Sequence, residues 1–190
     1  MKKIFICVLI SMVFPLLAVS EAGTPATKKE SPKKETSDKA DSIVWHRYDE
    51  GIKLARKENK KLFIDFTAKW CPYCRKMETT TFRDSAVIAT LNKYYIPVLV
   101  DGDSPNELNI DGITTTEKAV ARDFRVAGYP VFWFITSGGE RLVSLEGYRP
   151  PDYMIKVLDY LKDDLYKTVS FADFIAAKDK KSDSTKTKSE

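Results

Sequence analysis

Phe63-Ile64-Asp65-Phe66-Thr67-Ala68-Lys69-Trp70-Cys71-Pro72-Tyr73-Cys74 decides how this chain is read. Lys61 to Phe66 is, after its opening lysine, a short apolar run interrupted only by Asp65, and suits a buried strand. Pro72 is tolerated in a first helical turn, because the N–H it lacks would have no partner there. The spacing therefore predicts a helix that opens at Pro72 and runs to about Leu91. Cys71 would cap its N-terminus, where free N–H groups and the helix dipole favour a thiolate. Lys69 and Arg75 add positive potential nearby. Cys74, one turn later, is placed to attack a mixed disulfide formed at Cys71.

A C-x-x-C pair alone is compatible with zinc, iron–sulfur, haem attachment or redox chemistry, and ligand counting narrows the choice. A structural zinc site takes four Cys or His ligands. Beyond Cys7 the chain offers Cys71, Cys74 and its single histidine, His46. Covalent haem attachment needs His directly after the second cysteine, and Arg75 stands there. Redox chemistry with no bound metal or cofactor is the reading that remains within one chain. An iron–sulfur centre shared by two chains through Cys71 and Cys74 stays as an alternative. His46 stands alone, and an ordinary surface or packing role suits it.

Both ends of the 190 residues differ from the middle. Lys2 and Lys3 precede an apolar run from Ile4 to Val13, and Ala18-Val19-Ser20 offers small residues for signal cleavage. Residues 1–20 are thus expected to be a signal peptide. An uncleaved anchor is the alternative, but the run is shorter than the roughly 20 residues a spanning helix needs. Cleavage would remove Cys7 and leave Cys71 and Cys74 with no other thiol to pair with. It would also lower the net charge from +4 to +2, which gives nucleic-acid binding no support. Residues 21–42 read as a disordered linker, rich in Lys, Thr, Ser and Pro, and 178–190 as a disordered polar tail. The expected location is periplasmic or secreted, with no stable membrane insertion after cleavage.

The foldable part, 43–177, alternates its elements. Helices are expected over 48–59, 72–91, 117–124 and 151–166, and strands over 61–66, 94–100, 131–136 and 141–145. Residues 102–116 carry turn signals and read as an inserted loop. Alternation followed by a terminal hairpin predicts an α/β fold: a mixed sheet of four to five strands with helices on both faces. Trp133 and Tyr148 are not separable into core or surface by pattern.

The opening stretch resembles the active-site strand and loop of thioredoxin-fold proteins. The family's buried acid is matched by Asp65 and its pre-cysteine tryptophan by Trp70. Its cis-proline is matched by Pro130 in Val126-Ala127-Gly128-Tyr129-Pro130-Val131, and its later turn glycines by Gly138-Gly139 and Gly147. The resemblance covers roughly 45–165 and is nearest in style to periplasmic members such as the DsbD C-terminal domain and SoxW-like proteins. It implies a thioredoxin fold and a catalytic set of Cys71, Cys74 and Asp65, with Asp65 accepting the Cys74 proton through buried water; a plain buried acid is the other reading of Asp65. It implies that Trp70, Pro72, Tyr73, Tyr129 and Pro130 meet the substrate, although core packing accounts for Trp70 equally well and a trans turn proline is the plain alternative at Pro130. The implied activity is reduction of protein disulfides by dithiol–disulfide exchange, with electrons from a membrane thiol donor. A disulfide oxidase or isomerase on the same scaffold is the alternative. Two departures leave that direction open: Pro72-Tyr73 is a glutaredoxin-like dipeptide, and no strand lysine stands near Pro97 as in thioredoxin.

Overall fold

A computed structural model describes residues 42–186 of the chain. The expected signal peptide and all but the last residue of the expected linker lie outside the described residues. The elements begin with α1 (Tyr48–Glu58) and β1 (Lys61–Thr67), the strand on which the rest is built. Every residue of β1 from Leu62 to Phe66 is buried. Side chains alternate across a strand, so Leu62, Ile64 and Phe66 enter one core while Phe63 enters the other. Asp65 shares the Phe63 face by the same alternation.

β1 is central because it pairs in parallel with β2 (Tyr95–Asp101) and antiparallel with β5 (Val131–Ile135). Strand β6 (Arg141–Glu146) completes a four-stranded mixed sheet in the order β2-β1-β5-β6. Its Phe63 face is covered by α2 (Pro72–Thr79), α3 (Ser85–Tyr94) and α5 (Pro151–Lys162), whose Met77, Ile88, Leu91, Met154 and Leu158 are buried. The opposite face is covered by α1 and α4 (Glu117–Asp123), through Tyr48, Ala55, Val120 and Ala121. This is the α/β thioredoxin fold that the alternation and the resemblance lead one to expect, with four strands in the main sheet.

Four local expectations are corrected. The helix expected over 72–91 is two helices joined by a 3-10 turn at Thr81–Arg83. Thr80 leaves helical backbone geometry, and the Asp84 carboxylate caps α3 by accepting from the Ala86 and Val87 N–H groups at 2.9 and 3.0 Å. The insertion at 102–116 is not simply a loop, since it carries the hairpin β3 (Glu107–Ile110) and β4 (Ile113–Thr116). Asp111 and Gly112 both take positive φ, as the tight hairpin turn requires. Arg47 donates to the Glu107 carbonyl at 2.6 Å and Asp49 accepts from the Asn109 N–H at 3.1 Å, so the hairpin is fastened to α1. The closing helix ends at Lys162 rather than Tyr166, because Asp164 turns left-handed.

The fourth correction concerns the tail expected from residue 178. Helix α6 (Phe171–Lys186) runs through its start. Ser170 accepts from the Asp173 N–H at 3.2 Å, and Phe171 and Phe174 pack on Tyr160 of α5 at ring distances of 5.2 and 5.3 Å. Lys156 reaches Asp179 at 2.8 Å, and Lys178 pairs with Asp159. A polar segment looks disordered in one dimension, but here its charges have partners one helix away.

Candidate active site

The site forms where β1 gives way to α2. The Cys71 N–H closes a turn on the Ala68 carbonyl at 3.0 Å, and Pro72 then starts the helix. Cys71 is the N-cap, and its Sγ accepts the Cys74 N–H at 3.1 Å. A backbone donor therefore points at the sulfur where negative charge would develop. Cys71 and Cys74 are joined as a disulfide, with Cα atoms 5.3 Å apart. Both residues are buried, at 1% and 3% exposure, in a small cluster with Ala68, against which Tyr129 packs.

Around this buried pair stands an exposed aromatic rim. Trp70 is 65% exposed and Tyr73 59% exposed. Core packing is thereby corrected as an account of Trp70. Its indole N–H donates to the Asp103 carboxylate at 2.7 Å, and its ring meets Tyr129 edge-on at 5.8 Å. The Tyr129–Pro130 peptide bond is cis. Among the described residues, the Tyr129 N–H and C=O have no backbone partner, whereas the Pro130 carbonyl accepts the Gly147 N–H at 2.8 Å. Tyr129, Pro130, Glu146 and Gly147 line a cleft at this edge.

Asp65 lines a different cavity. It is buried and lines a recess with Trp45, Glu78, Phe82 and Leu99. Its Oδ1 has no hydrogen-bond partner among the described residues. Burial first, and the neighbouring Glu78 charge second, push its pKa up to about 8. Such a carboxyl can hold or release a proton near neutral pH. His46 bridges to β2 beside Val98 through its backbone.

Sequence reasoning missed three residues of this neighbourhood. Glu78 follows Cys74 by four positions on α2, so helical spacing could have placed it on the same face. Asp103 carries no local signal, because its partner Trp70 is 33 positions away. Gly102 is needed for space: a Cβ there would lie 2.2 Å from the Tyr129 hydroxyl. Among the described residues, no group of three or more His, Cys, Asp or Glu could hold a metal ion, and no helix is long and apolar enough to cross a membrane.

Comparison with known proteins gives a consistent result. The family described as "Thioredoxin-like domain" matches residues 48–162. A protein disulfide-isomerase of Hordeum vulgare is 33% identical over 106 residues, covering 56% of this chain and 17% of that protein. The thiol:disulfide interchange protein DsbD of Campylobacter jejuni is 31% identical over 100 residues, covering 53% of this chain and 16% of that one. The chain thus spans about a sixth of the length of these two relatives. Among solved structures, a thioredoxin from Thermus thermophilus superposes with a TM-score of 0.53 at 29% identity, over 63% of this chain and 87% of its own.

Proposed function

This chain belongs to the thioredoxin-like domain family, and on that premise we propose that it is an exported thiol–disulfide oxidoreductase that reduces protein disulfides. The observation that carries the reading is the Cys71 sulfur at the head of α2, accepting the Cys74 N–H at 3.1 Å. In the reduced protein, the Cys71 thiolate attacks one sulfur of a substrate disulfide, and the other substrate sulfur leaves as a thiolate. Cys74 then loses its proton to the Asp65 carboxylate and attacks the Cys71 sulfur. The second substrate thiolate departs, and the Cys71–Cys74 disulfide remains, so two electrons have passed to the substrate. A carboxyl of pKa about 8 is well matched to a thiol of ordinary pKa about 8.5, so neither direction of proton transfer is steeply uphill.

The substrate approaches the rim of Trp70, Pro72 and Tyr73, and an extended segment pairs with the Tyr129 backbone beside Pro130. The Tyr129 N–H and C=O, which have no backbone partner among the described residues, support this docking edge. Export rests on the basic start, apolar run and Ala18-Val19-Ser20 of the first twenty residues. The likeness to DsbD supports a periplasmic location and a membrane thiol as electron donor. The deciding experiment follows reduction of insulin disulfides by the purified chain with dithiothreitol as electron source. Catalysis by the parent, none by Cys71→Ser, and an accumulated mixed disulfide with Cys74→Ser are expected. Equal rates for parent and Cys71→Ser would refute the reading. Cell fractionation tests export: the chain should appear, shortened by about twenty residues, outside the cytoplasm.

A further inference from the structure

The redox sulfurs are covered, and what covers them is held in place by a residue outside the cysteine motif. Cys71 is 1% exposed although its neighbours Trp70 and Tyr73 are mostly in solvent. Tyr129 packs directly on the Ala68–Cys71–Cys74 cluster. The Trp70 ring meets Tyr129 edge-on, and the Trp70 indole N–H is bonded to Asp103 at 2.7 Å. The Tyr129 phenol lies in the field of the same carboxylate: burial first, then the charges of Asp103 and Asp101, raise its pKa. Gly102 leaves the room this requires, since a Cβ there would overlap the Tyr129 ring edge at 2.7 Å. Asp103 itself is fixed: its N–H donates to Asp101 at 3.2 Å, and the hairpin that follows is fastened to α1.

We propose that Asp103 is a positioning residue that latches the Trp70–Tyr129 pair over the Cys71–Cys74 disulfide, so that attack on Cys71 requires this aromatic cover to open. The latch discriminates between thiols. A docking protein supplies contacts along the Tyr129 edge that open the cover, whereas a small thiol supplies none and waits for spontaneous opening. The inference rests on reading Cys71 as the reactive sulfur, and deepens it by naming what selects the reaction partner.

The test is reduction of the oxidised protein by glutathione. One glutathione thiolate attacks Sγ of Cys71, the Cys71–Cys74 bond breaks, and Cys74 leaves as a thiolate. A second glutathione thiolate attacks the glutathione sulfur of that mixed disulfide and releases Cys71. Two glutathiones are thereby oxidised to their disulfide, and the protein gains two electrons. Removing the acceptor with Asp103→Ala should speed the first step about threefold to tenfold, the change in open population expected when a single hydrogen bond is lost. Asp103→Asn keeps a side-chain oxygen for the indole N–H and should stay within about twofold of the parent. The reduction potential should be the same in all three, because the latch acts on access.

Hydrogen exchange gives a readout independent of reactivity. The chain has three tryptophans, and Trp70→Phe identifies which indole N–H signal is that of Trp70. That signal should exchange faster in Asp103→Ala and keep its protection in Asp103→Asn. An unchanged or slower glutathione reaction in Asp103→Ala overturns the latch, as does a shifted potential or unchanged indole exchange. If the parent fails to reduce insulin, the proposed function fails first, and the indole exchange alone then decides the latch.

Discussion

Replacing Asp65 by Asn should change the stability of this protein in opposite directions at low and high pH. Asp65 is buried, its Oδ1 has no hydrogen-bond partner among the described residues, and its pKa rises from 3.8 to about 8 in the folded chain. The folded state therefore holds this proton to a higher pH than the unfolded state does. Raising the pH through that window removes stability, by about 1.4 kcal/mol per pH unit. The contribution is intact below about pH 4 and is lost by about pH 8, an upper bound of about 6 kcal/mol. Asparagine does not ionise, but it buries an amide whose donors lack partners, at a cost of about 1–3 kcal/mol at every pH. The variant should thus be about 1–3 kcal/mol less stable than the parent at pH 4 and at most about 3–5 kcal/mol more stable at pH 9. Urea unfolding of both proteins from pH 4 to pH 9, with the Cys71–Cys74 disulfide intact, reads this directly. A difference that stays flat across the range would refute the argument, since it would mean Asp65 is ionised in the folded protein throughout.

Three more outcomes follow from named contacts. Glu78→Gln removes a neighbouring charge that raises the Asp65 pKa, so the pH at which the parent loses stability should move lower; titration of the Asp65 carboxyl by NMR checks it. Gly102→Ala places a methyl 2.2 Å from the Tyr129 hydroxyl and should cost about 1–3 kcal/mol in denaturant unfolding while speeding reaction with glutathione. Asp84→Ala deletes the cap that starts α3, which accepts from two N–H groups, and should cost about 0.5–2 kcal/mol without changing the reactivity of the cysteines.

What the sequence discloses about this fold follows the reach of each signal. The apolar run before Trp70, the alternation of elements and the Ser137-Gly138-Gly139-Glu140 turn are local, and they lead directly to the central strand, the helices on both faces and the terminal hairpin. The same local logic was available for Asp111-Gly112 in the insertion, whose positive-φ pair marks a hairpin turn, and for Asp84-Ser85, which marks a helix start. Both were outweighed by the polarity or apolar content around them. Other features have no local signature. Helix α6 is held by Lys156–Asp179 and by Phe171 and Phe174 against Tyr160, contacts made across a helix pair. At the site, the cysteine pair and its helix cap are written in adjacent residues. Its surroundings are not: Asp103 meets Trp70 across 33 positions, and the recess of Asp65 collects Trp45, Glu78 and Phe82 from three separate segments.

The measurement that bears most directly on a disulfide-reducing role is the reduction potential of the Cys71–Cys74 pair, by equilibration against defined glutathione and dithiothreitol buffers. A value near the thioredoxin range of about −270 mV is expected, since the pair must then hold electrons loosely enough to pass them to substrate disulfides. A value near about −120 mV would contradict the account, because the stable form would be the dithiol and the protein would act as an oxidant.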